Sequence, residues 1–453
     1  MRARGTRYSR RVTRAPFVPL AVALVALWLG ATGAAFQRSD AFPESRHHPN
    51  IRYGSTPPSD AIAQLNAKVE QGDLKLAYEP GGRGYLKAVL DALGIDASSQ
   101  VLVYSGTSLQ ASYISEQNPR AIYFNDDVAV GWIRGAPVIE IAAQDPKLGT
   151  VFYTLSQTEA ASPRASRVET CLSCHLSWDT RAVPGVFVLT TFPRKSDSDY
   201  ASGGLSDHRE PVNRRYGGWY VTGDKVPPRH MGNQPLIFPK AAQPEQTPAP
   251  APRSTLAGTG LVRDIEQFLA PTSDIAALVV LEHQLHAMNL MTRTAWEHRL
   301  VAGAAADAPV APGESPTLTA RVREAVDELA DYLLFVDEVP MGTLKGNSGF
   351  AEWFEAQGPK DAAGRSLREL RLDGRLMKYP LSFTVYSRAF QGMPPAVRQA
   401  VYRRLWEVLT SAPAAGDRKY AHLTAADRRA ALEILRATKS DLPSVFTTTT
   451  AAR

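Results

Sequence analysis

"VAVGWIRGAPVIEIAAQDPKLGTVFYTL", residues 128–155, decides how this chain folds. Its three runs, VAVGWI, PVIEIAA and TVFYTL, are short, β-branched and aromatic, and Gly, Pro and Asp separate them. Runs of this length between turn formers read as strands joined by tight connections. Working outward, QVLVYSG and AIYFND extend the series back to residue 100, and several of the five strands are expected to be antiparallel. GVFVLTTF and GGWYVTG, further along, are two more strand candidates. Before the series, a helix is expected to begin after Ser59 as its N-cap.

Beyond residue 240 the pattern changes. KAAQPEQTPAPAPRSTLAGTG, residues 240–260, has almost no bulky apolar side chain and reads as a stiff, solvated linker or surface insertion; AGAAADAPVAPGESPT, residues 302–317, is similar. In ARVREAVDELADYLLFV, Val322, Val326, Leu329, Leu333 and Val336 recur at spacings of four and three, one apolar stripe on a helix. PPAVRQAVYRRLWEVL reads likewise, with Pro394 and Pro395 at its start. The expected fold class is α+β: a β-rich N-terminal half over 36–239, a linker over 240–260 and a helical half over 261–453. No internal repeat is present, and 453 residues are enough for a substantial core.

The formal charge of +6 is confined to one end. Six arginines and no acid lie in the first 35 residues, which leaves 45 basic against 45 acidic residues in the rest. A neutral body gives no support to nucleic-acid binding. The basic leader runs into FVPLAVALVALWLGATGAAF, residues 17–36, an apolar stretch with a small-residue exit. It reads as a signal peptide over 1–35 cleaved after Ala34 or Ala35, or as an uncleaved membrane anchor, since twenty apolar residues just span a bilayer. SRRVTR contains a twin arginine without the residues that usually follow it. On both readings the protein is exported, and the expected location is the periplasm.

Both cysteines lie in ETCLSCHLSW, residues 169–178. A disulfide between Cys171 and Cys174 would close a very small loop and staple nothing distant. Cys-Leu-Ser-Cys-His instead matches the C-x-x-C-H pattern of covalent haem attachment: two thiols one turn apart each add across a porphyrin vinyl group, and the adjacent imidazole turns under the ring to bind iron. Two other chemistries use part of the pattern. A redox dithiol gives His175 no role, and a zinc site needs ligands from distant His or carboxylates, because there is no second cysteine pair.

On Cys171, Cys174 and His175 the chain resembles the c-type cytochromes. FNDDVAVGWIRG, EIAAQDP, GGWYVTG, RHMGN and GFAEWFEAQGP are also similar to large bacterial proteins described only as containing a cytochrome c domain, a likeness that brings no known activity. The resemblance implies one covalent haem c on Cys171 and Cys174, with His175 as proximal iron ligand, and single-electron exchange with a redox partner protein. The chain departs from small cytochromes c in its length and in carrying the motif deep within it. It departs from the di-haem peroxidases in having one motif where they have two.

Function then turns on the other face of the iron: Met or His there gives an electron carrier, an open face a catalyst or sensor. Met231, in VPPRHMGNQP, follows His175 by 56 residues in a Pro/Gly-rich loop and is the first candidate. His230 beside it is nearly equivalent, and RHMGN also reads as an ordinary surface turn. His208 is a third candidate, with the alternative of an exposed loop residue. Within the helix expected over 274–300, Glu282, His286, Asn289 and Arg293 share a face, which either lines a haem pocket or is the solvated side of an amphipathic helix; His283 and His286 are reserve ligands. Arg229, with Arg209, Arg214, Arg215, Trp219 and Tyr220, lies near the distal loop and is the candidate partner of the propionates. Trp178 is expected to pack rather than relay electrons. The leading expectation is a mono-haem electron carrier. The alternatives are a redox enzyme in which His208, His230 or His286 serves as distal acid or base, and a haem-based sensor or subunit of a larger complex.

Overall fold

The computed structural model describes residues 46–191, 203–235, 251–311, 314, 316–411 and 418–446. The leader and its apolar stretch lie outside these. No described helix is long and apolar enough to cross a membrane.

In chain order the elements are α1 Ala61–Gln71, α2 Leu86–Leu93, β1 Val101–Val103, β2 Arg120–Phe124, β3 Val128–Trp132, β4 Val138–Asp145, β5 Gly149–Ser156, β6 Ser166–Arg167, α3 Leu172–His175, β7 Val188–Thr190, β8 Gly204–Ser206, α4 Ile275–Ala302, α5 Ala320–Leu333, α6 Phe350–Ala356, β9 Leu370–Asp373, β10 Arg375–Met377, α7 Arg388–Gln391, α8 Pro395–Thr410 and α9 Ala425–Thr438. The five strand runs between residues 100 and 156 are β1 to β5, and with β6 they form a six-stranded antiparallel sheet in sequential order. The fold is α+β, with this sheet in the N-terminal half and helices in the C-terminal half.

Turn chemistry sets the register. The Asn125 carboxamide accepts from the backbone N–H of Asp127 and Val128, closing the β2–β3 turn. Asp145 does the same for Lys147 and Leu148 in the β4–β5 turn. Gly149 ends that turn at φ +79°, and a Cβ there would lie 2.4 Å from Thr292 Cγ2, so its glycine also lets α4 approach.

Alternation along the strands separates two faces. Ile139, Ile141 and Ala143 of β4 and Val151, Tyr153 and Leu155 of β5 pack with Leu65, Val69, Leu86 and Leu90 of α1 and α2. The opposite face, with Glu140, Ala142, Gln144, Phe152 and Thr154, turns toward α3 and α4. Gln144 Nε2 donates to Thr292 Oγ1 of α4 at 3.1 Å. Behind α4 a further layer of α5, α8 and α9 closes a second core through Val322, Val326, Leu329, Leu333, Val401, Leu405 and Ile434.

Several local expectations change. Asp60 caps α1, accepting from Ile62 and Ala63, while Ser59 donates to Asp145. GGWYVTG forms isolated bridges, Trp219 with Val103 and Thr222 with Asp274, rather than a strand. α5 ends at Leu333, so Val336 lies beyond it. The described part of the 240–260 stretch lies against the fold: Leu256 is fully buried, and Arg253 and Ser254 carbonyls accept from Gly223 and Asn347. α4 is buried on all sides from Ile275 to Thr292, so its polar residues do not form a solvated face.

Candidate functional site

The motif folds as one helical turn. Cys171 is the N-cap of α3, and its carbonyl accepts from Cys174 N–H at 3.2 Å and His175 N–H at 3.0 Å. Both thiols are free; Cys171 is half-buried and Cys174 exposed. Burial pushes the Cys171 thiol up, the opposite of the lowered thiol a redox dithiol needs.

His175 is clamped from three sides. Gly185 N–H donates to its carbonyl and the Gly185 carbonyl accepts from its Nδ1, both at 2.9 Å. Its ring lies between Phe152 of β5, centroids 4.8 Å apart, and Phe187, at 5.7 Å. Burial pushes its pKa down to about 4, so the imidazole is neutral at pH 7 with its proton on Nδ1. Among the described residues Nε2 takes no hydrogen bond, leaving its lone pair for a ligand. The returning loop is tightly turned: Thr180 Oγ1 accepts from Ser177 N–H, and Arg181 and Ala182 adopt φ of +60° and +62°. Non-glycine residues hold that conformation only where the surroundings impose it.

The sheet beside the motif has small side chains on the facing side. Ala142 pairs with Phe152 and with Ala129, and Gly131 pairs with Glu140. Ala129, Gly131, Glu140 and Ala142 are all half-exposed, so this strip is incompletely covered. At its edge Glu140 accepts from Arg120 and Ser108, and Arg120 holds its carboxyl below the usual range against the cost of burial. Trp178 is 77% exposed and so lies outside the buried core, contrary to expectation.

A second cluster surrounds α4. Asp207, His208, Arg215, His230, Glu282, His283 and His286 are all buried. Arg215 donates to Glu282 at 2.5 Å, and Tyr216 OH to the same oxygen; burial nevertheless pushes Glu282 up to about 7. His208 and His283 share a proton between their Nδ1 atoms at 2.8 Å, and His283 Nε2 meets Ser382 Oγ at 2.7 Å. Arg209 can only donate, so His286 Nε2, 3.0 Å away, accepts and its proton sits on Nδ1. His208 Nε2, His230 Nε2, Glu282 Oε2 and His286 Nδ1 are buried without a hydrogen-bond partner.

The structure thus brings Cys171, Cys174 and His175 onto one turn; among the described residues none of the distal candidates hydrogen-bonds to that turn. His230 and Met231 are buried rather than on a surface turn, held by Tyr216, Gly232 and the Arg215 carbonyl; none of these contacts reaches residues 171–175. His208 is buried, not exposed, and both ring nitrogens of His283 are engaged. Arg209 and Arg215 serve Asp207 and Glu282, while Arg229 is exposed. Phe152, Gly185 and Phe187, which position His175, carry no motif of their own. Among the described residues no three His, Cys, Asp or Glu side chains converge on a bare metal ion. Compared with known proteins, the chain matches no family model, no curated protein and no solved structure.

Proposed function

We propose that the chain is an exported mono-haem c-type cytochrome that transfers single electrons in the periplasm. The observation that carries this reading is the state of His175: neutral, held at Nδ1 by the Gly185 carbonyl, flanked by two aromatic rings and open at Nε2. That is how a protein prepares an imidazole as an iron ligand.

The residues fit the group. Cys171 and Cys174 are unbridged and one turn apart, and a porphyrin supplies four of the iron's ligands, so the motif needs to add one. Haem c, when bound, supplies an iron that cycles by one electron. Cys171 and Cys174 would fix its edge, and the strip of Ala129, Gly131 and Ala142 leaves half-covered sheet surface beside it. The exposure of Cys174 and Trp178 leaves that edge open to a redox partner protein. Met231 and His230 remain the distal proposal, and Arg229 the propionate partner. His283 is withdrawn, because binding iron would cost it a buried hydrogen bond.

A second reading, a redox enzyme with an open iron, draws on the unpartnered nitrogens of His208, His230 and His286. Absorption spectra of the oxidised and reduced protein, with and without carbon monoxide, separate the two. The electron-carrier reading expects a six-coordinate low-spin spectrum that ignores carbon monoxide; a high-spin spectrum that shifts with it supports the enzyme. Alanine at both His230 and Met231 with an unchanged spectrum would remove the distal assignment.

A further inference from the structure

We propose that Asn289, on α4, is a positioning residue for the His175 imidazole; this rests on the haem reading above. Gly185 and Val186 are consecutive, and their carbonyls hold two different partners. The Gly185 carbonyl accepts from His175 Nδ1, and the Val186 carbonyl accepts from Asn289 Nδ2, each at 2.9 Å. The peptide that follows the one orienting the imidazole is therefore fastened by a side chain more than a hundred residues away, only 1% exposed, on the most deeply buried helix of the fold.

Close approach reinforces the fastening. A Cβ at residue 185 would lie 2.1 Å from Asn289 Oδ1, 2.8 Å from its Cγ and 3.1 Å from Thr180 Cβ. Only glycine passes between the amide and the Thr180 turn at this distance. The Gly185 carbonyl is thus set by α4 on one side and by the returning loop on the other.

The consequence is electronic as well as steric. A hydrogen bond from Nδ1–H to a well-placed carbonyl makes the imidazole a stronger donor at Nε2, and a stronger donor favours the ferric state. Loosening the carbonyl weakens that donation and lets the ring plane vary.

The test uses the full chain, matured with covalent haem, and the variants N289L and N289D, measured at a pH where the aspartate is ionised; both keep approximate shape, and neither leucine nor a carboxylate can donate to Val186. Intact mass first establishes that wild type and variants each carry one haem. Midpoint potential and the ferric electron paramagnetic resonance spectrum are then compared. The expected result is an upward shift of the midpoint and a broadened or displaced ferric signal in both variants. G185A should lose stability by collision with Asn289, and G185A/N289A should recover the stability while keeping the altered spectrum, which a merely structural role would not produce. Haem-loaded N289L and N289D with wild-type midpoint and signal, whatever their melting temperature, overturn the proposal. Wild type without haem overturns the functional reading, and this inference with it.

Discussion

At the level of single residues, the buried histidines dominate the chemistry. Burial pushes His230 down to about 4 and His283 and His286 to about 3, and carries His208 well below its ordinary value. A histidine whose folded pKa is lowered contributes stability that is present above the unfolded value near 6.5 and is lost as pH falls toward the folded value. Glu282 and Glu338, raised to about 7, and Asp127, raised to about 6, act in the opposite sense and cost stability as pH rises toward 7. The four histidines outnumber these carboxyls, so unfolding free energy should drop between pH 6.5 and 4.5. Replacing His286 by Gln should flatten that limb by about 1.4 kcal/mol per pH unit. Urea titrations across the range measure this; an unchanged slope would mean that His286 is charged in the fold. Legibility at this scale was uneven. Cys171, Cys174 and His175 announce themselves because the covalent haem attachment proposed for them demands fixed spacing. Gly185, Phe152 and Phe187 do not, because they are ordinary members of apolar runs until the chain folds back on His175.

At the level of elements, α4 shows where periodicity misleads. Glu282, His286 and Asn289 fall on one face as their spacing requires, yet that face is covered by the 207–216 loop, Tyr332 and the segment at Val186 that leads into β7. A polar stripe signals exposure only if nothing polar waits to meet it. The strands were legible for the converse reason: short β-branched runs between Asn, Asp, Pro and Gly leave few other choices. α4 depends on its first residue. Asp274 accepts from Ala276 and Ala277 within the helix and from Asn347 and Ser348 of a distant loop, and is fully buried. Asp274→Ala removes a cap and strands two buried donors, Ala276 and Ala277 N–H, and two half-buried ones, Asn347 and Ser348 N–H. We expect a loss of about 2 kcal/mol or more, read as a lower denaturation midpoint with an unchanged m-value; a loss under about 0.5 kcal/mol, the scale of a neutral surface change, would contradict the assigned role.

For the whole molecule, the expectation of a β half and a helical half is right in element order, but the halves are tied throughout. Arg368 reaches Asp126 at 2.7 Å, Gln284 donates to the Asn125 carbonyl, Gln144 meets Thr292, and Lys147 pairs with Asp307. These ties run from the turns of the sheet to α4 and beyond, so the helical layers pack onto the sheet face that lies beside the Cys171–His175 turn. Residues 46–235 expressed alone should therefore fail to give a cooperative thermal transition, while the chain from 46 to 446 should melt as one unit. Calorimetry checks this; a sharp transition in the shorter fragment would show that the sheet and its first two helices suffice. Sequence composition could not reveal this mutual dependence, because a Pro/Ala-rich stretch looks the same whether it spans solvent or, as at Leu256, lies against the core.

Whether Cys171, Cys174 and His175 hold one haem is read from the intact mass of the protein exported from cells that mature c-type cytochromes, alongside the C171A/C174A variant. We predict the mass of one covalently attached haem in the former and of bare polypeptide in the latter. Exported wild-type protein at the mass of the bare chain would mean that these three residues hold no covalent haem.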